Sequence, residues 1–137
     1  MQNQTIAGID VSCATLDICV STAHGQHSFV INNNVKAITR FFRSYQQPLI
    51  IGMENTGLYN WALYEVLKDL PQHQVYVISP LHLNKSLGLV RGNNYKIDAV
   101  RIAAFILKHY TDLTQWKPLI PVIQKLKNTA YRKAQPH

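Results

Sequence analysis

Thr5-Ile6-Ala7-Gly8-Ile9-Asp10-Val11-Ser12 is an apolar run with one carboxylate near its end. A run of this kind reads as a buried strand. An ionised Asp inside such a strand is costly to desolvate unless a cation, an ion partner or hydrogen bonds compensate. The chain holds only seven Asp and Glu against fourteen Lys and Arg, so each acid in an apolar setting is informative. Two more occur in similar settings. Glu54 follows Leu49-Ile50-Ile51-Gly52-Met53, and Asp98 lies within Lys96-Ile97-Asp98-Ala99-Val100. Three acids delivered by separate apolar elements predict a metal site. Asp17 falls opposite Leu16 and Ile18 by strand alternation, which predicts an exposed side chain outside that site.

Outward from the first run, the chain begins with strands. Leu16-Asp17-Ile18-Cys19-Val20-Ser21 alternates, His24-Gly25 signals a turn, and Ser28-Phe29-Val30-Ile31 follows. Short links between the three predict an antiparallel meander. Asn32-Asn33-Asn34 supplies a break and a cap for a helix from Val35 to Tyr45, with Val35, Ile38, Phe41 and Phe42 at helical spacing. Pro48 to Met53 is a continuous apolar strand of the kind buried on both faces. Tyr59 to Leu70 reads as a helix whose apolar residues include Trp61, and Pro71 ends it. Val75-Tyr76-Val77-Ile78 is the next strand, and Ser79-Pro80 opens another helix as a cap followed by Pro. After the loop Gly92-Asn93-Asn94, residues 95–110 read as a helix, with Ile97, Val100, Ala104, Ile106 and Leu107 among its apolar positions.

At 137 residues the chain fits one domain able to bury a core, and its composition excludes a disordered polymer. No apolar stretch approaches the roughly 20 residues that span a bilayer, so no membrane partner is expected. The N-terminus lacks a basic region and leads straight into a strand, which argues against a signal peptide and for the cytoplasm. Cys13 and Cys19 lack metal-type spacing and read as free, buried thiols. The net charge of +7 points to a polyanion, nucleic acid first of all.

The element order βββαβαβα predicts an α/β, ribonuclease H-like fold: a mixed five-stranded sheet flanked by helices. The acids fall where such a sheet gathers ligands. Asp10 lies on the first strand, Glu54 at the carboxyl end of the fourth, and Asp98 near the start of a late helix. Mg²⁺ takes hard oxygen ligands, and paired ions assist phosphodiester cleavage. Each acid alone also has a structural reading, as a turn or helix cap or as a first-turn acid favoured by the helix dipole.

At these residues the chain resembles the bacterial insertion-sequence transposases with a DEDD acid set, related to the Piv invertase. The matching pieces are Gly8-Ile9-Asp10-Val11-Ser12, Met53-Glu54-Asn55-Thr56-Gly57-Leu58-Tyr59, Ser79-Pro80 with Lys85, and residues 91–99. Their order and spacing match from about residue 6 to 110, most of the chain. The resemblance implies a RuvC-type catalytic domain, Mg²⁺-dependent DNA strand cleavage and joining (Mn²⁺ substituting), and in some relatives a guide RNA. It implies a homo-oligomer in the full-length protein. It carries over Asp10, Glu54 and Asp98 as the first, second and fourth acids, both catalytic and metal-binding. The third acid of relatives, three residues before the last, is here Tyr95, and Asn93 stands where a basic residue is usual. A phenol is a poor Mg²⁺ ligand, so weakened metal affinity or an inactive copy is expected. The resemblance divides the chain into a catalytic domain, 1–115, and the start of a helical or coiled-coil segment with a basic tail, 116–137.

Lys85, Arg91, Lys96 and Arg101 surround the last motif and are candidate phosphate contacts; a solvated helix face is the structural alternative. Tyr59 is expected to pack at a helix start, with base stacking as its functional alternative. Trp61 is expected in the core. Two further functions stand beside the transposase: a non-catalytic ribonuclease H-like nucleic-acid-binding domain, and a Holliday-junction-type nuclease. A sugar-kinase or actin-type nucleotide binder shares the opening strands, but Ser12-Cys13-Ala14 lacks the glycine its phosphate turn needs.

Overall fold

Alternation and turn chemistry at the N-terminus produce the meander. In the computed structural model, which describes residues 4–86 and 98–118, strand β1 is Thr5–Val11, β2 is Thr15–Thr22 and β3 is Gly25–Asn32. Ala23 and His24 form the two-residue link between β2 and β3, and Gly25 follows at φ 135°, a conformation that favours glycine. Helix α1, Val35–Arg43, is capped by Asn34, whose side chain accepts from the Ala37 N–H at 2.8 Å. Then come β4 (Leu49–Glu54), α2 (Trp61–Leu67), β5 (Gln74–Ile78), α3 (Pro80–Ser86) and α4 (Ala99–His109). Ser79 caps α3, its hydroxyl accepting from the His82 N–H at 3.1 Å.

The five strands form one mixed sheet in the order β3-β2-β1-β4-β5. β1 pairs antiparallel with β2 and parallel with β4, and β5 extends the parallel side. Period-two alternation sends side chains to two cores. Ala7, Ile9, Leu16, Ile18, Ile51 and Met53 meet α1 and α2 on one face. Ile6, Cys19, Ile50, Tyr76 and Ile78 meet α3 and α4 on the other. The expected fold class is the observed one.

Glycine sets how closely α4 lies on the sheet. Gly8 and Gly52 are register partners on β1 and β4. A Cβ at Gly8 would strike the Ala99 carbonyl and the Ala103 backbone, and one at Gly52 would strike the Ile106 side chain. The helix thus crosses the sheet in near backbone contact, with Ala99, Ile102, Ala103, Phe105 and Ile106 as its buried residues. This stripe differs from the expected one: Val100, Ala104 and Leu107 face solvent. A one-residue rotation follows because the small residues, Ala99 and Ala103, are needed against Gly8.

Three sequence expectations are corrected here. Trp61 is 63% exposed rather than in the core. The buried residues of α2 are Ala62, Leu63, Val66 and Leu67, and at about 100° per residue Trp61 lies well off that stripe. Cys13 is exposed, in the loop after β1, while Cys19 is buried; both are free thiols. Asp17 is half-buried rather than exposed, because the sheet face opposite Leu16 and Ile18 is itself covered. Trp116 bridges to Val75, its N–H donating to the Val75 carbonyl at 2.6 Å, and stacks on Tyr64 at 5.0 Å. The helical segment expected from residue 116 lies, from 119 onward, outside the described residues.

Candidate functional site

Parallel strands deliver their carboxyl ends to one edge, and two acids sit there. Glu54 is the last residue of β4, and Asp10 the penultimate residue of β1. Ile9 pairs with Met53, so the next residue of each strand, Asp10 and Glu54, lies side by side at the parallel spacing of about 4.8 Å. Both belong to the face that α4 covers, since Ile9 and Met53 point to the other core. Burial pushes the Glu54 carboxyl above its ordinary value, and the charge of Asp10 raises it further.

Asp17 joins this row. It is the register partner of Asp10 across the β1–β2 ladder, so Asp17, Asp10 and Glu54 form a line across three strands on one face. Alternation sets Asp17 on the face opposite Leu16 and Ile18, but the register that sets it beside Asp10 is a tertiary fact. Asp98 takes a different position, as the N-cap of α4, where its Oδ1 accepts from the Arg101 N–H at 2.9 Å. Its charge adds to the burial that raises the Cys19 thiol. Among the described residues, no three His, Cys, Asp or Glu side chains come together as a metal cluster. The structure thus brings Asp10 and Glu54 together, and Asp98 caps α4, whose Ala99 carbonyl lies against Gly8 of β1. Tyr95, Asn93, Arg91 and Lys96 lie outside the described residues; Lys85 is exposed in the last turn of α3, and Arg101 is half-buried on α4.

The loop after Glu54 is held by Asn60 and Asn33, and Asn60 is the one that sequence reasoning did not single out. Asn60 is fully buried, and its Nδ2 donates to the Glu54 carbonyl at 3.0 Å while its Oδ1 accepts from the Thr56 N–H at 2.8 Å. Gly57, at φ 80°, donates to the Asn55 side chain at 2.9 Å. Asn33 ties this loop to the one after β1: its Nδ2 donates to the Ser12 carbonyl at 2.8 Å and the Tyr59 carbonyl at 2.9 Å. Its Oδ1 is buried and has no hydrogen-bond partner among the described residues. The Asn content of 32–34 and 55–60 is the signal in the sequence, of which residues 32–34 read as a break and a helix cap. Beside this latch, Leu58 is 71% exposed, and Tyr59 and Trp61 are also exposed.

A sheet of this order, with acids at the carboxyl end of its parallel strands, defines a ribonuclease H-like domain of RuvC type. The chain is similar in fold to Thermus thermophilus RuvC in complex with a Holliday junction substrate, with a TM-score of 0.54 and 17% identity over 85% of this chain and 100% of that one. A second Thermus thermophilus RuvC structure gives 0.52 and 18% over the same shares. No curated protein matches the chain in sequence. A family model described as Transposase, for the DEDD transposases of IS110-type elements, matches residues 7–135. The chain belongs to that family.

Proposed function

We propose that this domain binds DNA across the carboxyl end of its sheet, with Asp10 and Glu54 holding a divalent cation against a phosphate. The observation that carries this reading is the pair of acids side by side on adjacent parallel strands, with the Glu54 carboxyl raised by burial and by Asp10. A dication relieves that repulsion. Mg²⁺ is commonly anchored by one or two carboxylates, with water and phosphate oxygens completing its shell. Two acids therefore fit an ion whose remaining ligands come from the nucleic acid. When bound, the ion supplies charge neutralisation at the phosphate and acidifies water.

The chain's own residues do the rest. Asn60 and Asn33 fix the backbone that carries Glu54. Leu58, Tyr59 and Trp61 offer exposed apolar and aromatic surface beside the acids, suited to unstacked bases. Lys85 and Arg101 contact phosphates, with Arg91 and Lys96 in the same role. In this reading the domain is first a nucleic-acid-binding module. Strand cleavage and joining need a further ligand, for which Asp17 and Asp98 compete.

Calorimetric titration of Mn²⁺, with and without DNA, tests the proposal. The parent chain binds the ion more tightly when DNA is present, and Asp10→Asn loses at least roughly tenfold in affinity. Unchanged affinity in Asp10→Asn overturns it. The likeness in fold to a RuvC bound to a Holliday junction favours a branched substrate as a second reading. Metal-dependent cleavage of a junction, abolished by Asp10→Asn, extends the module to a nuclease.

A further inference from the structure

The two edges of the sheet are treated differently. At β5, Trp116 lies against the strand and donates its backbone N–H to the Val75 carbonyl. β3 is the opposite edge, and among the described residues no strand pairs with its outer side. Exposed edges are normally blunted by Lys, Pro, a bulge or shortness. β3 has none of these. Gly25-Gln-His-Ser-Phe-Val-Ile-Asn32 runs eight residues with no Lys, Arg, Asp, Glu or Pro, and it pairs with β2 in unbroken register. In a chain of net charge +7, this is a strand on which two copies meet without like charges opposed.

The hydrogen-bond parity of β3 is self-complementary. The Asn33 N–H donates to the Ala14 carbonyl at 2.9 Å, and antiparallel ladders alternate between bonded and non-bonded pairs. Odd-numbered residues of β3 therefore turn their backbone groups to β2, and Gln26, Ser28, Val30 and Asn32 turn theirs outward. A two-fold axis through Phe29 sets Val30 against Ser28 of the second copy and Asn32 against Gln26. Every outward donor then meets an outward acceptor. Phe29 falls opposite its own symmetry mate in a non-bonded pair, where side chains approach most closely. It already packs edge-on against Phe41 at 5.4 Å, and Val30 is 69% exposed on the other face.

We infer that β3 pairs antiparallel with β3 of a second copy of this chain, joining two sheets into one of ten strands about a two-fold axis at Phe29. The axis is perpendicular to the sheet, so both acid rows face the same side. Five interstrand steps separate the two copies of β1, which sets the two Asp10 residues roughly 25 Å apart.

Sedimentation of the whole chain over a concentration series reads the association. The parent dimerises. Val30→Lys places a charge on the edge, and Ser28→Pro removes an outward N–H that β2 does not use, so both fold and both weaken association at least roughly tenfold. Circular dichroism of both variants matches the parent. In a Cys13→Ser background, Phe29→Cys forms an intermolecular disulfide under mild oxidation, and His27→Cys, which faces Ile31 of the mate, does not. A monomeric parent overturns the inference. A dimer that survives both edge variants, or a Phe29→Cys chain that does not cross-link, equally overturns it and points to another surface or to another segment covering β3.

Discussion

Glu54 shows how one side chain links stability to ligand binding. Its carboxyl sits above the ordinary 4.5 because burial, then the charge of Asp10, disfavours ionisation. A raised carboxyl favours the fold in its neutral form. That contribution is complete below 4.5 and is lost as pH rises through the raised value. Glu54→Gln, neutral throughout, therefore melts above the parent at neutral pH and level with it in acid, as thermal scans at the two pH values will show. His73 runs the other way. It is buried, its Nδ1 accepts the Leu49 N–H at 3.0 Å, and burial lowers its pKa from 6.5. Its contribution is present above 6.5 and lost as pH falls through the lowered value. Asp98 separates two roles by substitution. Asn caps a helix as well as Asp, whereas Ala costs about 1 kcal/mol. Asp98→Asn thus keeps the parent's denaturation midpoint, and a loss of Mn²⁺ affinity in it would assign Asp98 to the metal.

At the scale of elements, the contact between α4 and the sheet decides where the site lies. Gly8→Ala forces a Cβ into helix backbone, which has no rotamer to yield, and costs about 3 kcal/mol in urea denaturation. Gly52→Ala meets only the Ile106 side chain, so it costs less, and Ile106→Val in the same chain restores part of the loss. The loop between β4 and α2 is the second such element. Asn60→Ala leaves the Thr56 N–H and the Glu54 carbonyl without their partner and costs about 2 kcal/mol. Equal stability of Asn60→Ala and the parent would remove the latch from the account. Much of this level was legible in the chain. Alternation gave the meander, and Asn34 and Ser79 marked their helices. The stripe of α4 was not legible, because Val100 and Leu107 are apolar yet the glycines of the sheet select Ala99 and Ala103. Trp61 misled for a similar reason: an apolar residue at a helix start need not face the core.

For the whole molecule, the sequence by itself determined the ribonuclease H-like order, which follows from local signals: strand and helix periods, turn residues, and acids embedded in apolar runs. Membership of the transposase family rests on the ordered motifs around Asp10, Glu54 and Asp98 and on the family model that matches residues 7–135. The sequence also placed Asp10 on the first strand and Glu54 at the carboxyl end of the fourth, whereas the parallel pairing that sets them side by side came from the tertiary structure. The tertiary structure alone decided which acids meet. Register set Asp17 against Asp10, and the contact of Ala99 and Ala103 with Gly8 set where α4 lies on the sheet. It decided, too, that Trp116 lies against one sheet edge and that no strand among the described residues pairs with the other. The physical reason is range. Periodicity and capping act within a few residues, whereas register and helix docking depend on contacts between segments far apart in the chain, fixed by which backbones can approach closely.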